Sequence, residues 1–337
     1  MGVVMADEKV RLASIGLANW GTMLANAAKR AGNVEITRCF TRTESSREEF
    51  AEKFGCRPAA SFDEVLKDSE VEGILIATPH STHTDLITQA ASAGKHVFVE
   101  KPLTLTVADA DKCIEATEKA GVTLLIGHHR RRQGANRKIR EMIDEGALGM
   151  IHALEANLSN PNGQNPRSGW RNDPAECPAG GMTGLGVHMV DNLQYLAGRA
   201  KRVSAFSKQL FAAGNLDDVT NIILEYESGP LGYITTCYVT SKQCTTSAHG
   251  TEASAWSEDE GERLYLQKKD ETQRSELSVD GDDALAEEIQ EFGKCIRGAA
   301  KPETDGAAAR EVVAVLESIV ESARSGRVVE VSEIRGH

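Results

Sequence analysis

The sequence predicts an α/β chain of two domains, a doubly wound parallel sheet followed by a second domain built on an antiparallel sheet. Three observations carry this. Strand-like and helix-like patterns alternate through the first 127 residues, and a glycine-containing turn joins the first strand to the first helix. After Gly127 several strand-like runs follow one another with no helix between them.

The elements follow in order. Val10–Gly16 (VRLASIG) is a short apolar run ending in glycine, the expected first strand, and Trp20–Ala31 has helical character. Val34–Phe40 (VEITRCF) alternates with the period of a strand. Glu44–Phe54 reads as a helix closed by Gly55, because glycine takes the left-handed conformation at a helix end at little cost. Glu72–Ala77 is an apolar strand, Thr82–Ala93 a helix closed by Gly94, and His96–Val99 a short strand. Val107–Ala120 is a helix closed by Gly121, and Val122–Ile126 is the last strand of the series. Strand–helix–strand units of this size make right-handed crossovers, hence a parallel sheet. The boundary falls near Gly127–Arg130, giving expected domains 1–128 and 129–337.

In the second part, Asn136–Glu145 reads as a helix closed by Gly146. Ser159–Gly186 is rich in Gly, Pro and Asn and too long for an ordinary connection, so a functional loop is expected. A helix follows over Val187–Leu196. Strand-like runs then fill Arg202–Ser278, among them Val219–Tyr226 and Leu231–Tyr238, and their direct succession implies antiparallel pairing. Helices near Ala284–Ile296 and Ala307–Ala323 finish the chain, and either domain can receive them.

Composition narrows the function. The chain has 337 residues, 40% apolar and 26% charged, which is ordinary for a globular protein with a full core. Its 38 Lys+Arg against 50 Asp+Glu leave a net charge of −12, which argues against binding nucleic acid. No apolar run is long enough to span a membrane, and Met1–Val10 lacks the pattern of a signal peptide, so no membrane partner is expected. Seven cysteines, an odd number with wide spacings and no C-x-x-C, read as reduced thiols in a cytoplasmic compartment.

The first chemical motif is Gly16-Leu-Ala18-Asn19-Trp20-Gly21, placed between the first strand and first helix. It matches the phosphate-binding fingerprint G-x-G-x-x-G with Ala18 in the second position. Gly16 permits the tight turn, the small residue at 18 lets backbone approach a pyrophosphate, and Gly21 lets the helix pack against the strand. This points to a Rossmann domain that binds a dinucleotide. The tip of the second strand carries Thr41 and Arg42, with Arg47 one turn on, where an NAD site would carry a carboxylate for the ribose 2′-OH. A hydroxyl and guanidinium groups suit a 2′-phosphate, so NADP(H) is favoured. Glu44 leaves NAD(H) open, and both arginines have the plainer reading of solvating a helix start. Two further strands end in Ala77-Thr78-Pro79-His80 and in Glu100-Lys101-Pro102. Ligands of such sheets bind outside the carboxyl ends of the strands, so these ends are expected to line the same crevice as the fingerprint.

These residues resemble the Gfo/Idh/MocA family (glucose–fructose oxidoreductase, inositol dehydrogenase and rhizopine-catabolism proteins). The matching segments are Ile15–Gly21, Ala77–His83, Gly94–Pro102, His128–Arg132, Gly146–Gly149, Trp170-Arg171 and Gly180–Asp191, in order along nearly the whole chain. The resemblance implies an N-terminal Rossmann domain, a C-terminal α/β domain with an open, mostly antiparallel sheet, and association as dimers or tetramers. It also implies an NAD(P)-dependent oxidoreductase acting on sugars, inositols or related polyols. Lys101 of E-K-P and His188 of G-x-H-x-x-D take the catalytic positions, and Ala77, Thr78, Pro79, His80, His83 and Glu100 join the cofactor site. One departure stands out. The family often carries an Asp four residues before the histidine, and this chain has Gly184 there. Asp191, one turn beyond, reads as structural.

The implied chemistry is hydride transfer at a secondary alcohol or ketone, with His188 exchanging the hydroxyl proton and Lys101 holding the same oxygen as an ammonium. Asn157, Asn160, Asn162, Asn165, Arg167, Trp170 and Arg171 are candidates for a polar substrate rim, with Asn157, Trp170, Arg171 and His188 the chosen substrate residues. The His128–His129 pair lacks a third ligand at helical spacing, so no metal is expected. Arg130, Arg131 and Arg132 either bind an anion or pair with acidic residues. The alternative functional reading is a dinucleotide-sensing regulator of the same fold, kept open by Gly184. A scaffold protein is the third, and the phosphate turn argues against it.

Overall fold

The computed structural model describes residues 9–165, 169–211, 214–281 and 283–336. The chain divides into two compact units. The first contains residues up to 104, 108–127 and 283–309, and the second contains 105–107, 128–282 and 310–337.

The first unit runs β1 (Val10–Ile15), α1 (Asn19–Ala31), β2 (Val34–Phe40), α2 (Glu44–Phe54), β3 (Arg57–Pro58), α3 (Phe62–Lys67), β4 (Gly73–Ile76), α4 (His83–Ser92), β5 (His96–Glu100), α5 (Val107–Ala120) and β6 (Leu124–Gly127). All six strands are parallel, in the order β3-β2-β1-β4-β5-β6. This is the doubly wound order, and the order reverses between β1 and β4, the place at which open sheets of this kind bind their ligands. β4 and β6 are buried along their whole length, as strands covered on both faces must be. β3 and α3 are not anticipated by the sequence reading, because a two-residue strand and a six-residue helix carry too little periodicity to register.

Residues 283–309, for which either domain was open, group with the first unit. Ile289 and Phe292 of α8 (Ala284–Ile296, numbered after the second unit's helices) enter the core formed by Leu12, Leu24, Leu75 and Phe98. Phe98 and Phe292 meet edge to face at 6.0 Å. Gly73 is bare because a Cβ there would lie 3.0 Å from both Ile296 and Leu12.

The second unit contains α6 (Gly134–Asp144), β7 (Ile151–Ser159), α7 (Val187–Ala197), β8 (Ala200–Lys208), β9 (Val219–Tyr226), β10 (Leu231–Cys237), β11 (Gln243–Gly250), β12 (Ala253–Glu258), β13 (Arg263–Lys268), β14 (Ser275–Leu277), most of α9 (Gly306–Ser325), β15 (Val329–Glu330) and α10 (Val331–Arg335). The sheet order is β14-β13-β12-β11-β7-β10-β9-β8-β15, antiparallel except where β10 runs parallel to β7. The sequence reading misses β7 and therefore this parallel pairing. Leu154, Ala156 and Leu158 do alternate as a strand requires, but the signal is short and abuts the polar loop. The opposite face of this sheet leaves Phe206, Ile223, Leu231 and Tyr233 exposed.

Candidate active site

In the first unit the turn after β1 is shaped by its glycines. Gly16 has φ +86°, and a Cβ there would lie 2.7 Å from the Ala77 carbonyl carbon and 2.9 Å from Thr78 Cγ2. A Cβ on Gly21 would overlap the Gly16 carbonyl oxygen. The strand, the turn and the head of α1 therefore touch backbone to backbone. Ala18 caps α1 with no side-chain hydrogen bond, and the first turn has no acidic residue. Ala18 and Asn19 are exposed. The outcome is a bare, positively polarised helix end, which is what an incoming phosphate needs. The backbone thus fits the dinucleotide that the fingerprint implies.

The neighbouring strand ends close around this turn. Ala77 N donates to Ile15 O at 2.8 Å and Gly16 N to Phe40 O at 3.0 Å. Thr78 and Thr82 hydroxyls lie 2.7 Å apart, and Thr82 Oγ1 also donates to Pro79 O at 2.7 Å. His80 is buried and its ring meets His83 at 5.9 Å. Lys101 is 8% exposed, with Nζ 5.7 Å from the centre of the Trp20 ring, so the E-K-P turn and the fingerprint are adjoining. Glu100, the preceding residue, is also buried. A Cβ on Gly127 would come within 3.2 Å of Glu100 Oε1. Peptide 101–102 is cis.

Several residues that the sequence places in this site have a different immediate task. His83 is fully buried, with Nδ1 at 3.0 and 3.2 Å from the Pro102 and Leu103 carbonyls and Nε2 at 3.2 Å from Thr78 O. It ties the end of β4 to the turn after β5. Arg47 donates from Nη1 to Thr41 O at 2.9 Å and Arg42 O at 3.2 Å, ordering the tip of β2, whereas Arg42 itself is exposed. Lys95 of the same matching segment as Lys101, not itself an expected site residue, is a brace, donating to Asp68 O and Val71 O at 2.7 Å each, and burial lowers its pKa.

In the second unit His188 lies near the start of α7, 3% exposed. His129 packs edge-on to it at 4.9 Å and His128 at 6.3 Å. Asp191, one turn along, is fully buried. Arg131 Nε donates to its Oδ2 at 2.9 Å and Arg131 Nη2 to its Oδ1, and His128 Nδ1 stands 3.8 Å away. Burial alone would raise the Asp191 pKa, but Arg131, His128 and Arg132 outweigh it and hold the carboxyl below its usual value. Arg130 faces Glu260 at 3.4 Å, with Lys242 on the same carboxylate at 2.7 Å. Arg130 and Arg131 are thus paired with acidic side chains. Among the described residues no group of three or more His, Cys, Asp or Glu could hold a metal ion.

The substrate rim is only partly assembled. Asn157 lies on β7 with Leu154, Ala156 and Leu158 buried on the other face, and it shares its register with Thr235 and Thr245. Its Nδ2 donates to Gln243 Oε1 at 2.8 Å and its Oδ1 accepts from Ser159 at 2.6 Å. α7 packs on the side of Ala156, since Asn192 of α7 reaches Thr246, the cross-strand partner of Ala156. Alternation along the strand therefore turns Asn157 away from His188, correcting its selection as a substrate residue. Trp170 carries the Arg171 guanidinium over its ring at 4.0 Å, so one stacking face is already covered. Asn160 Oδ1 accepts from Asn162 N within a turn. Arg167 lies outside the described residues.

Residues 10–128 match the family model for oxidoreductases with an NAD-binding Rossmann fold, and residues 136–256 match the family's C-terminal domain. A myo-inositol 2-dehydrogenase of Thermotoga maritima is 30% identical over 239 residues, 67% of each chain. The chain belongs to the Gfo/Idh/MocA oxidoreductase family. The rhizopine catabolism protein of Rhizobium meliloti is 27% identical and aligns over 94% of both chains. Among solved structures, a Desulfitobacterium hafniense protein described as an NADPH-dependent oxidoreductase superposes with a TM-score of 0.92 at 31% identity, covering 98% of this chain and 99% of that one. A levoglucosan dehydrogenase bound to NADH and levoglucosan shares the fold, with a TM-score of 0.90 at 20% identity over 96% of this chain. Gfo/Idh/MocA membership makes this chain an oxidoreductase with an NAD(P)-binding domain.

Proposed function

We propose that the protein transfers a hydride reversibly between a nicotinamide dinucleotide and a secondary alcohol or ketone carbon of a sugar, inositol or related polyol. The observation that carries this is the bare head of α1, cradled by Gly16 and Gly21, with the Lys101 ammonium against Trp20 beside it. Relatives named for inositol and anhydrofructose support the substrate class.

When bound, the dinucleotide supplies the hydride chemistry. The backbone of Gly16, Ala18, Asn19, Trp20 and Gly21 holds its pyrophosphate. Lys101 holds the reacting oxygen and stabilises negative charge as it develops. His188 exchanges the proton of that oxygen, its ring packed edge-on against His129. NADP(H) is the preferred form: Thr41 and exposed Arg42 stand at the tip of β2, Arg47 holds that tip in shape, and the relative described as NADPH-dependent is 31% identical. The exposed Phe206, Ile223, Leu231 and Tyr233 on one sheet face support assembly of identical copies as a dimer or tetramer. None of the seven cysteines is disulfide-bonded, in keeping with a cytoplasmic, reducing compartment.

Titration with NADPH and NADH, followed by a turnover screen over sugars, inositols and dihydrodiols, tests the reading. Lys101→Ala should abolish turnover while dinucleotide binding persists. Near-normal turnover in that variant would refute the role of Lys101. Tight binding with no turnover by the unaltered protein would favour the sensing regulator.

A further inference from the structure

The carboxylate missing at Gly184 leaves a position one turn before His188 with no side chain of its own. That space is taken from another element. A Cβ on Gly184 would lie 2.6 Å from the hydroxyl oxygen of Tyr238 and 4.0 Å from its Cζ. Tyr238 directly follows β10. Its backbone is fixed on both sides: Tyr238 N donates to Asp218 O at 2.7 Å, and Gly163 N donates to Tyr238 O at 2.7 Å.

Glycines border both the ring and its attachment to the chain. A Cβ on Gly181 would stand 3.3 Å from the ring carbons, and one on Gly163 would stand 2.8 Å from Tyr238 Cβ. The helix that faces it is pinned as well. Met182–Gly186 is a π-helical turn leading into α7, and a Cβ on Gly186 would lie 2.5 Å from Thr236 Oγ1, two residues before Tyr238. Such wide turns recur at functional sites. Two bare positions, 181 and 184, thus admit the phenol with its hydroxyl at position 184, where Gly184 and Tyr238 are both partly open to solvent.

We propose that Tyr238 is a substrate-contacting, specificity-determining residue whose hydroxyl takes the place of the absent carboxylate beside His188. The inference rests on the hydride-transfer reading above. It also changes the substrate class. A carboxylate only accepts hydrogen bonds and repels anions. A phenol, with an ordinary pKa of about 10, is neutral and adds a donor while it can still accept. The subsite at Gly184 therefore gains a donor and loses a charge that repels anions, which favours an acceptor oxygen of the substrate, a carbonyl or carboxylate as in keto-sugars and sugar acids.

The test is a swap read on the full-length protein with bound cofactor. Tyr238→Phe keeps the ring and removes only the hydroxyl. It should lower kcat/KM about 10- to 100-fold, most for substrates bearing the acceptor oxygen, with dinucleotide affinity and melting temperature unchanged. Gly184→Asp alone places its Cβ 2.6 Å from the hydroxyl, whereas once Tyr238→Phe has removed that oxygen the nearest ring carbon is 4.0 Å away. The Gly184→Asp/Tyr238→Phe double variant should therefore be more active than either single variant and shift preference toward neutral polyols. Tyr238→Phe equal to the unaltered protein in kcat and KM on every substrate would overturn the inference alone, as would a double variant no better than Tyr238→Phe. An unaltered protein that binds dinucleotide but turns over nothing would overturn the hydride-transfer reading, and this inference with it.

Discussion

Gly16→Ala separates what the phosphate turn does for stability from what it does for binding. The residue has φ +86°, so an alanine carries the cost of a left-handed conformation, about 1–2 kcal/mol. Its methyl would also stand 2.7 Å from the Ala77 carbonyl carbon. Ordinary carbon contacts are at ~3.5–4.0 Å, so the β1 turn and the end of β4 must separate by about an ångström. Overpacking of that kind adds roughly 1–3 kcal/mol. The same displacement moves the head of α1 from its phosphate geometry, and a misplacement of about 1 Å typically costs on the order of 100-fold. The expected outcome is dinucleotide affinity lower by about 10- to 100-fold, together with a stability loss of about 2–5 kcal/mol. Gly121→Ala is the control. It has φ +65° and nothing within 4 Å, so it should lose only the ~1–2 kcal/mol of backbone strain and keep its dinucleotide affinity. Fluorescence titration with NADPH and NADH, paired with urea unfolding of each variant, gives both numbers. Unchanged dinucleotide affinity in Gly16→Ala, at whatever stability, would refute the assignment of this turn to the phosphate.

Two other perturbations follow from buried charge. Asp191→Asn breaks a buried pair and leaves Arg131 with a neutral partner, so unfolding should be easier by about 3–5 kcal/mol; a denaturation midpoint within error of the parent would show that the pair adds nothing. His96 Nδ1 accepts from Thr123 N at 3.0 Å, and burial lowers its pKa, with Glu72 opposing and Arg297 assisting. The unfolded chain, titrating near ~6.5, then takes up the proton before the folded one, so stability falls as pH drops below about 6.5 and levels off below the folded value. His96→Asn keeps an acceptor that does not titrate, and its melting temperature should decline less between pH 7 and 5; an unchanged slope would refute the role of His96.

Much of the first unit is legible in the sequence because its elements are regular and their ends are marked. The reading of β2, α2 and α5 matches the structure at both ends, and Gly55 and Gly121 follow the two helices in the left-handed conformation. The parallel pairing follows from the crossover rule once the strands are placed, whereas the reversal of the order at β1 does not. The second unit is harder to read. β7 alternates Leu154, Ala156 and Leu158 with polar residues, but alanine gives weak contrast, and its parallel partner β10 lies far along the chain. Likewise α8 shows an apolar stripe in sequence, yet nothing local says that Phe292 belongs beside Phe98.

The site divides along the same line. Residues set by local backbone, the fingerprint turn and the E-K-P turn, are readable as motifs because their chemistry is carried by neighbours in sequence. A motif does not distinguish a ligand contact from the brace behind it. His83 lies in a matching segment and Arg47 beside the tip of β2, and both hold backbone carbonyls. Asn157 fails for a reason of register, since moving one residue along a strand changes the face. Gly184 is the sharpest case. Read alone, it is a lost carboxylate, and it favours a protein that senses without turning over. Tyr238, directly after β10, reaches the same place, and the bare positions at 181 and 184 leave room for its ring and hydroxyl. A missing catalytic group is a local fact of the sequence, but whether it has been replaced is a property of the sheet. Absence from a motif is therefore weak evidence for loss of activity wherever a strand end of the same unit reaches the vacated position.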